Sequence, residues 1–518
     1  MLLIYPPVSK PCEPPAGVAG LSGALRSHGV RHTVFDANLE GLLCLAGAAV
    51  AGRATGLDTW TSRALRNCAG NIRSLRDMRL YRSADRYRRA VKDLNRVLER
   101  SVDVSRFTLG LANYQDCRLS PVRSRDLLAA AEAPEANPFY PFFSRRLEAL
   151  IAEKQPRVVG FSINYLSQAL CAFAMMGFIR RAFPGLDIVC GGGLVTSWLR
   201  RPCRHDCFGG LIDRLVAGPG EEALLRLAGV DERPAAHYTP CYEQLPVSDY
   251  LSPGAILPYS GASGCFWNRC SFCPEKAEGG CYTPVGIRQA REDLSLLSAR
   301  MNPSMIHLLD NAVSPALMRS LLDDPPGAAW YGFARITGDL ADPDYCMALK
   351  RSGCAMLKLG IESGDQAVLD RMNKGVDLGD AARALKALKQ AGIATYVYLL
   401  FGSPEEDLEG ARKTLAFTAR HAGEIGFLNL AIFNMPVGSA SYGELRRSDF
   451  YEGDLSLYTD FERSDGWDRR AVRRFIEREF RKDRAVADIL GNEPPFFTSN
   501  HAAFFQSRRG PSGLPLAG

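Results

Sequence analysis

The sequence predicts an α/β protein in three parts: a doubly wound, Rossmann-like domain, a partial barrel of six βα units, and a helical carboxyl-terminal extension. Three observations carry this. Short apolar, β-branched runs alternate with helical patterns in two separate series, the arrangement of parallel sheets whose strands are joined by helices. In the first series, strands run into the glycine-rich loops Gly191-Gly192-Gly193 and Gly218-Pro219-Gly220. Length agrees, since 518 residues at ~150 per domain suggest about three domains.

In chain order, Leu2 to Tyr5 reads as a strand, a Pro-Pro break follows, Ala16 to His28 has helical periodicity and Thr33 to Phe35 is a second strand. An Arg-rich helical insertion is expected over about 51–145. Residues 51–100 hold thirteen Arg or Lys against five Asp or Glu, with Leu65, Ile72, Leu75 and Leu80 at helical spacing. A solvated helix face is the plain reading of that charge, and a surface for an acidic substrate is the alternative. Arg157 to Ile163 and Ile188 to Cys190 then read as strands flanking a helix over Gln168 to Phe183, and Leu211 to Val216 as the last strand of a domain spanning 1–235. Pro240 to Pro258 is rich in Pro, Ser and Tyr, which places a linker at 236–250. In the second series, over 251–440, strands are expected at Ala255 to Tyr259, Met305 to Leu309, Trp330 to Ala334, Met356 to Ile361, Thr395 to Phe401 and Phe427 to Phe433. Six strands are too few for a closed eight-unit barrel. Residues 441–518 complete the chain, with Arg469 to Arg481 the clearest helix.

Composition narrows the class. At 46% hydrophobic and 23% charged residues, the chain reads as ordinary soluble globular protein rather than disordered. A net charge of +6 is too small at this length to argue for a nucleic-acid partner. No apolar run reaches the ~18 residues of a membrane span, and the opening MLLIYPP lacks the basic and apolar regions of a signal peptide, so a cytoplasmic location is expected. Fifteen cysteines then point to free thiols or metal ligands rather than disulfides.

Three of them crowd one loop directly after a predicted strand: Gly264-Cys265-Phe266-Trp267-Asn268-Arg269-Cys270-Ser271-Phe272-Cys273-Pro274. Three thiolates on a tight loop suit three irons of a [4Fe-4S] cluster and leave the fourth iron open to chelate a ligand. Zinc is the alternative, although structural zinc wants a fourth ligand and Cys281 is the nearest candidate. Free thiols without a metal are the bland alternative. Cys203-Arg204-His205-Asp206-Cys207 suggests a second metal only weakly, for want of a second ligand pair.

On these residues the barrel resembles the radical S-adenosylmethionine (SAM) superfamily. The resemblance implies that Cys265, Cys270 and Cys273 ligate the cluster, that the open iron binds SAM, and that Phe272 packs on adenine. The usual spacing of three residues and then two is four and then two here. Later strand ends agree: Asp310 and Asn311 after the second strand and Glu362 after the fourth would meet the SAM ammonium or ribose, Arg335 after the third its carboxylate, and Gly402 after the fifth its adenine.

The first domain resembles the cobalamin-binding domain of cobalamin-dependent radical SAM enzymes. Tyr5-Pro6-Pro7, Pro14-Pro15-Ala16-Gly17, the Gly191, Gly192 and Gly193 loop and the Gly218 and Gly220 loop carry that likeness, and glycine lets a bulky corrin approach the backbone. No Asp-x-His-x-x-Gly occurs, so no protein histidine is expected beneath cobalt, and Leu194 and Val195 stand where relatives often have a histidine. The implied cofactors are a [4Fe-4S] cluster, SAM and cobalamin. The implied activity is methyl transfer to an unactivated centre after SAM cleavage to a 5′-deoxyadenosyl radical, served by an electron donor such as flavodoxin or ferredoxin. Rearrangement or cyclisation without methyl transfer, and a non-catalytic electron carrier, are the rivals. The substrate, whether peptide, lipid or small metabolite, is not legible. With no cysteine after Cys354, the extension has no thiolates for a further cluster, and Phe496-Phe497 and Phe504-Phe505 are expected to dock the tail at the barrel mouth.

Overall fold

Five short parallel strands form the sheet of the first unit: Leu2–Tyr5 (β1), Thr33–Asp36 (β2), Val158–Ser162 (β3), Asp187–Gly191 (β4) and Arg214–Leu215 (β5), of which β1 and β3 are buried throughout and β5 is the exposed edge. Their order is β2-β1-β3-β4-β5. The chain steps outward on both sides of β1, so the order reverses between β1 and β3 and opens a crevice at the strands' carboxyl ends. The computed structural model describes residues 1–52, 58–200, 207–230, 235–450, 452–494 and 501–507. It divides into Met1–Ile256 with 452–457, and Leu257–Phe450 with 458–494 and 501–507.

Helix Leu166–Ala182 follows β3 and is buried along most of its length, including Cys171, Phe173, Met175 and Met176, as its nearly all-round apolar sequence requires. The Arg-rich insertion supplies helices Thr59–Leu75 and Ala84–Arg100. Leu75 and Leu80 are buried, Leu65 and Ile72 are half-buried, and several arginines pair locally with Asp58, Asp77, Asp85 and Asp93, which favours the solvated-face reading. The stretch expected as a linker is anchored instead. Cys241 N donates to Ala19 O at 2.8 Å, Leu251 N donates to Pro11 O at 2.8 Å, and the Tyr250 hydroxyl donates to Asp36 Oδ2 at 2.5 Å, because Tyr242, Leu245 and Tyr250 are large apolar surfaces that bury against the first unit. The strand expected over Leu211 to Val216 shortens to Arg214–Leu215 after a turn at 207–211.

In the second unit, Ile256–Tyr259 (β6), Met305–Leu308 (β7), Ala329–Ala334 (β8), Cys354–Glu362 (β9), Ala394–Phe401 (β10) and Phe427–Ile432 (β11) form one sheet in sequential order. Strands β7 through β11 pair in parallel. The extension is not helical from its start. Met435–Pro436, Arg447–Asp449 and Tyr458–Phe461 make a small antiparallel sheet, and the helix follows at Arg469–Arg478. Phe496, Phe497 and residues 203–206 lie outside the described residues. No helix among the described residues is long and apolar enough to cross a membrane, and the fourteen described cysteines are all free thiols.

Candidate active site at the barrel mouth

The three-cysteine loop leaves β6 through Gly264, whose φ of +76° and contact with Cys281 O, 2.5 Å from where a Cβ would stand, admit only glycine. Cys270 is buried, and Cys265 and Cys273 are half-buried. Burial pushes the Cys270 thiol up, while the charges of Lys374 and Arg335 pull it toward thiolate. Burial likewise raises Cys273, opposed by the backbone N–H groups of Lys276 and Glu275. Among the described residues, no three His, Cys, Asp or Glu side chains converge on a single ion. A cubane takes each of three thiolates on a different iron, and the nearby cations Lys374 and Arg335 suit its anionic character, so the donor set fits such a cluster.

The loop is docked on four consecutive residues, Met372 to Gly375, that follow helix Gln366–Arg371. Ser271 N donates to Met372 O at 2.9 Å, Trp267 Nε1 donates to Asn373 O at 3.0 Å, and Arg335 Nη2 donates to Lys374 O and Gly375 O. Asn373 and Gly375 have φ of +51° and +62°, and these left-handed turns aim the carbonyls at the loop. The four residues between Cys265 and Cys270 turn at Asn268. Asn268 takes φ +43° and donates to Gly280 O, while the Trp267 ring lies between the guanidinium groups of Arg335 and Arg269, at 4.2 and 4.9 Å.

Asp310, at the end of β7, is buried, accepts from Gly261 N at 3.0 Å, and is raised by burial to about 6. Asn311 is exposed and donates to Glu275. Arg335, at the end of β8, was expected at the SAM carboxylate. The structure spends its guanidinium on the Lys374 and Gly375 carbonyls, the Trp267 face and a hydrogen bond to Cys270. Glu362 ends β9 at a register shift with φ +68° and pairs with Lys374, Nζ to Oε1 2.8 Å, with side chains 13% and 8% exposed. Phe272 packs on Phe433, Met435 and Tyr442, with the Lys374 ammonium 5.5 Å from its ring centre. Gly402, after β10, has φ +78° and donates to Glu406 Oε2 at 2.6 Å.

Sequence reasoning missed Lys374, Trp267 and the Ser271–Glu405–Tyr442 triangle, in which Glu405 Oε1 accepts from both hydroxyls at 2.8 and 2.9 Å. The Asn373-Lys374-Gly375 turn signature was the available signal.

In the first unit, the crevice at the carboxyl edge holds a mostly apolar cavity of about 160 Å³, whose walls include Leu3, Val189, Gly191, Gly192, Gly218 and Gly220. Gly192 has φ +102°, with Ile163 O 2.5 Å from where its Cβ would be. Gly193 opens helix Gly193–Leu199 and donates to Asn164 Oδ1 at 2.9 Å. Leu194 and Val195 are buried.

Residues 259–418 match the model of the radical SAM superfamily. The chain carries a radical SAM domain. An uncharacterized methyltransferase of Pyrococcus horikoshii is 24% identical over 202 residues, 38% of this chain and 42% of that protein. The anaerobic magnesium-protoporphyrin IX monomethyl ester cyclase of Rubrivivax gelatinosus is 25% identical over 161 residues, 30% of this chain and 28% of that one. The chain thus spans under half the length of these curated relatives. Among solved structures, the radical SAM methyltransferase TsrM of Kitasatospora setae, with tryptophan substrate and a SAM analogue bound, aligns over 83% of this chain and 72% of its own, with a TM-score of 0.50 at 16% identity. That likeness is one of fold. The radical SAM domain places its cysteine loop at the carboxyl mouth of the sheet, where Asp310, Arg335, Glu362 and Gly402 also end their strands.

Proposed function

We propose that this protein is a cobalamin-dependent radical SAM enzyme that transfers a methyl group to an unactivated carbon or phosphorus centre in the cytoplasm. The observation that carries the reading is the cysteine loop at the mouth of a six-stranded sheet, with the buried Glu362–Lys374 pair beside it. Cys265, Cys270 and Cys273 would hold the [4Fe-4S] cluster, and the cavity edged by Gly191, Gly192, Gly218 and Gly220 would take part of the cobalamin. When bound, these groups supply one-electron cleavage of SAM and a methyl carrier.

The chain's own residues bind, orient and exclude water. The Met372 to Gly375 carbonyls fix the loop, and the side chains of Arg335 and Lys374 offset the thiolate charge. Phe272, on its apolar bed of Phe433 and Met435, offers a flat face for a purine, while Asp310 and Glu362 present acceptors at the ends of β7 and β9, on either side of β8. The relatives' names support methyl transfer, and the cyclase among them keeps ring formation as the second reading.

The test is anaerobic incubation of the reconstituted protein with SAM, cobalamin, a flavodoxin or ferredoxin system and cell extract, followed by mass analysis of the nucleosides. Methyl transfer yields S-adenosylhomocysteine together with 5′-deoxyadenosine. Rearrangement or cyclisation yields 5′-deoxyadenosine alone, and a protein that cleaves no SAM is a carrier rather than an enzyme of this class.

A further inference from the structure

We propose that Glu405 sets the reduction potential of the iron-sulfur cluster: its carboxylate, bonded to the cysteine loop through Ser271, raises the energy of the added electron and holds the potential low. The inference rests on the reading above, since it needs the cluster at Cys265, Cys270 and Cys273.

The carboxylate is joined to the loop itself. Glu405 Oε1 accepts from Ser271 Oγ at 2.8 Å and from the Tyr442 hydroxyl at 2.9 Å, and Ser271 is next to Cys270 in the chain. Glu405 Oε2 is buried and has no hydrogen-bond partner among the described residues. No cation among them forms an ion pair with the carboxylate either; the Arg371 guanidinium bonds the Glu405 backbone carbonyl, Nη2 to O 2.6 Å. The surroundings are dry, with Ser271 and Tyr442 only 7% and 6% exposed, so little water screens the charge. Burial and the Glu405 charge push the Tyr442 phenol up, and the Cys270 sulfur adds to the push. That hydroxyl is therefore within electrostatic reach of both.

Anchoring alone does not call for a charge. Ser271 is already fixed by Met372 O, which accepts from its N at 2.9 Å and its Oγ at 3.3 Å, and an amide at 405 would accept from both hydroxyls as well. A buried carboxylate oxygen without a partner is costly, and what the fold keeps at that cost is a fixed negative charge behind the loop. The other acids nearby are engaged: Glu362 pairs with Lys374 at 2.8 Å, and Glu275 accepts from Asn311 at the surface. Lys374 and Arg335 act on Cys270 in the opposite sense. Reduction adds one electron, supplied by the flavodoxin or ferredoxin system, and makes or breaks no bond. It changes net charge, which is one of the levers on a cluster's potential, so removing a neighbouring negative charge makes the electron easier to add.

The experiment is a redox titration of anaerobically reconstituted protein without SAM, with the reduced cluster read by electron paramagnetic resonance at set potentials. Iron content and the thermal midpoint are recorded alongside. Glu405→Gln keeps an acceptor for both hydroxyls and removes the charge. It should raise the reduced-to-oxidised ratio about tenfold at a given potential, an upward shift of about 59 mV for one electron. Glu405→Asp keeps the charge and should stay near wild type. Tyr442→Phe removes one hydroxyl and leaves the charge, so its potential should stay in place or fall. If Glu405→Gln takes up no cluster, Glu405→Ala carries the same expectation. An unchanged potential in the neutral variant, or an equal rise in Glu405→Asp or Tyr442→Phe, overturns the proposal. So does failure of both neutral variants to assemble a cluster, because Glu405 would then hold the loop rather than tune the electron. Wild type that takes up no cluster overturns the radical SAM reading itself, a distinct result.

Discussion

Gly375 has no room for a side chain: a Cβ would stand 2.1 Å from the Trp267 ring, and its φ of +62° favours glycine as well. Gly375→Ala should therefore cost about 1–2 kcal/mol in backbone strain and about 1–3 kcal/mol in displacing the ring, lowering the thermal midpoint and the iron bound per chain. Trp267→Phe, which keeps a flat ring between Arg269 and Arg335, should hold more iron than Trp267→Ala. Equal iron in the two variants would show that the loop does not depend on the clamp. At this scale the sequence was legible where spacing alone brings residues onto one loop, as with the three cysteines that follow β6. It was illegible where one side chain had two possible partners. Arg335 ends its strand as expected, yet its partners are backbone carbonyls of a turn 39 residues later, and no pattern in the chain announces such a contact. Lys374 escaped for the same reason, since its partner Glu362 lies across a helix and a turn.

Among the elements, the strands of the second unit were the most legible, because each is an apolar run closed by a polar or glycine signal. The small antiparallel sheet at 435–461 was not, since Arg447–Asp449 is wholly exposed and lacks alternation. The join between β10 and helix Arg469–Arg478 depends on a buried carboxyl group. Gly402 N and Trp467 Nε1 both donate to Glu406 Oε2, and burial pushes Glu406 up from 4.5 to about 7. Because the folded protein holds this proton more tightly than the unfolded chain, the group's contribution is fully present below about pH 4.5. It is lost as pH rises toward about 7 and is level beyond, a swing of about 3 kcal/mol. Glu406→Gln keeps an acceptor and removes the charge, so the gap between mutant and wild-type stability should widen in the mutant's favour from about pH 5 to about pH 8. Urea midpoints at the two values check this, and a constant gap would mean that Glu406 ionises in the folded state as easily as in the unfolded one.

For the molecule as a whole, two parallel sheets with different strand orders imply two kinds of ligand site, and the first unit's is the more exacting test. Its strand order reverses beside β1, and the crevice there holds the 160 Å³ cavity. No histidine is among the described residues that line it, and the nearby described histidines are engaged elsewhere: His28 Nε2 with the Tyr238 hydroxyl at 3.1 Å, and His32 with Ser22 Oγ and Val30 O. Bound cobalamin should then show, in the resonance of its Co(II) form, no nitrogen splitting from a protein imidazole. Gly17 offers the matching variant. It lines the cavity, and a Cβ there meets nothing within 4 Å. Gly17→Leu should fold at least as well as wild type, because leucine is the better helix former, while its side chain crowds the cavity and weakens hydroxocobalamin binding by about tenfold or more, 1.4 kcal/mol. Splitting from a protein nitrogen would place a histidine where the described chain offers none. Unchanged binding in a well-folded Gly17→Leu would mean that the cavity takes no part of the corrinoid, leaving this sheet a scaffold.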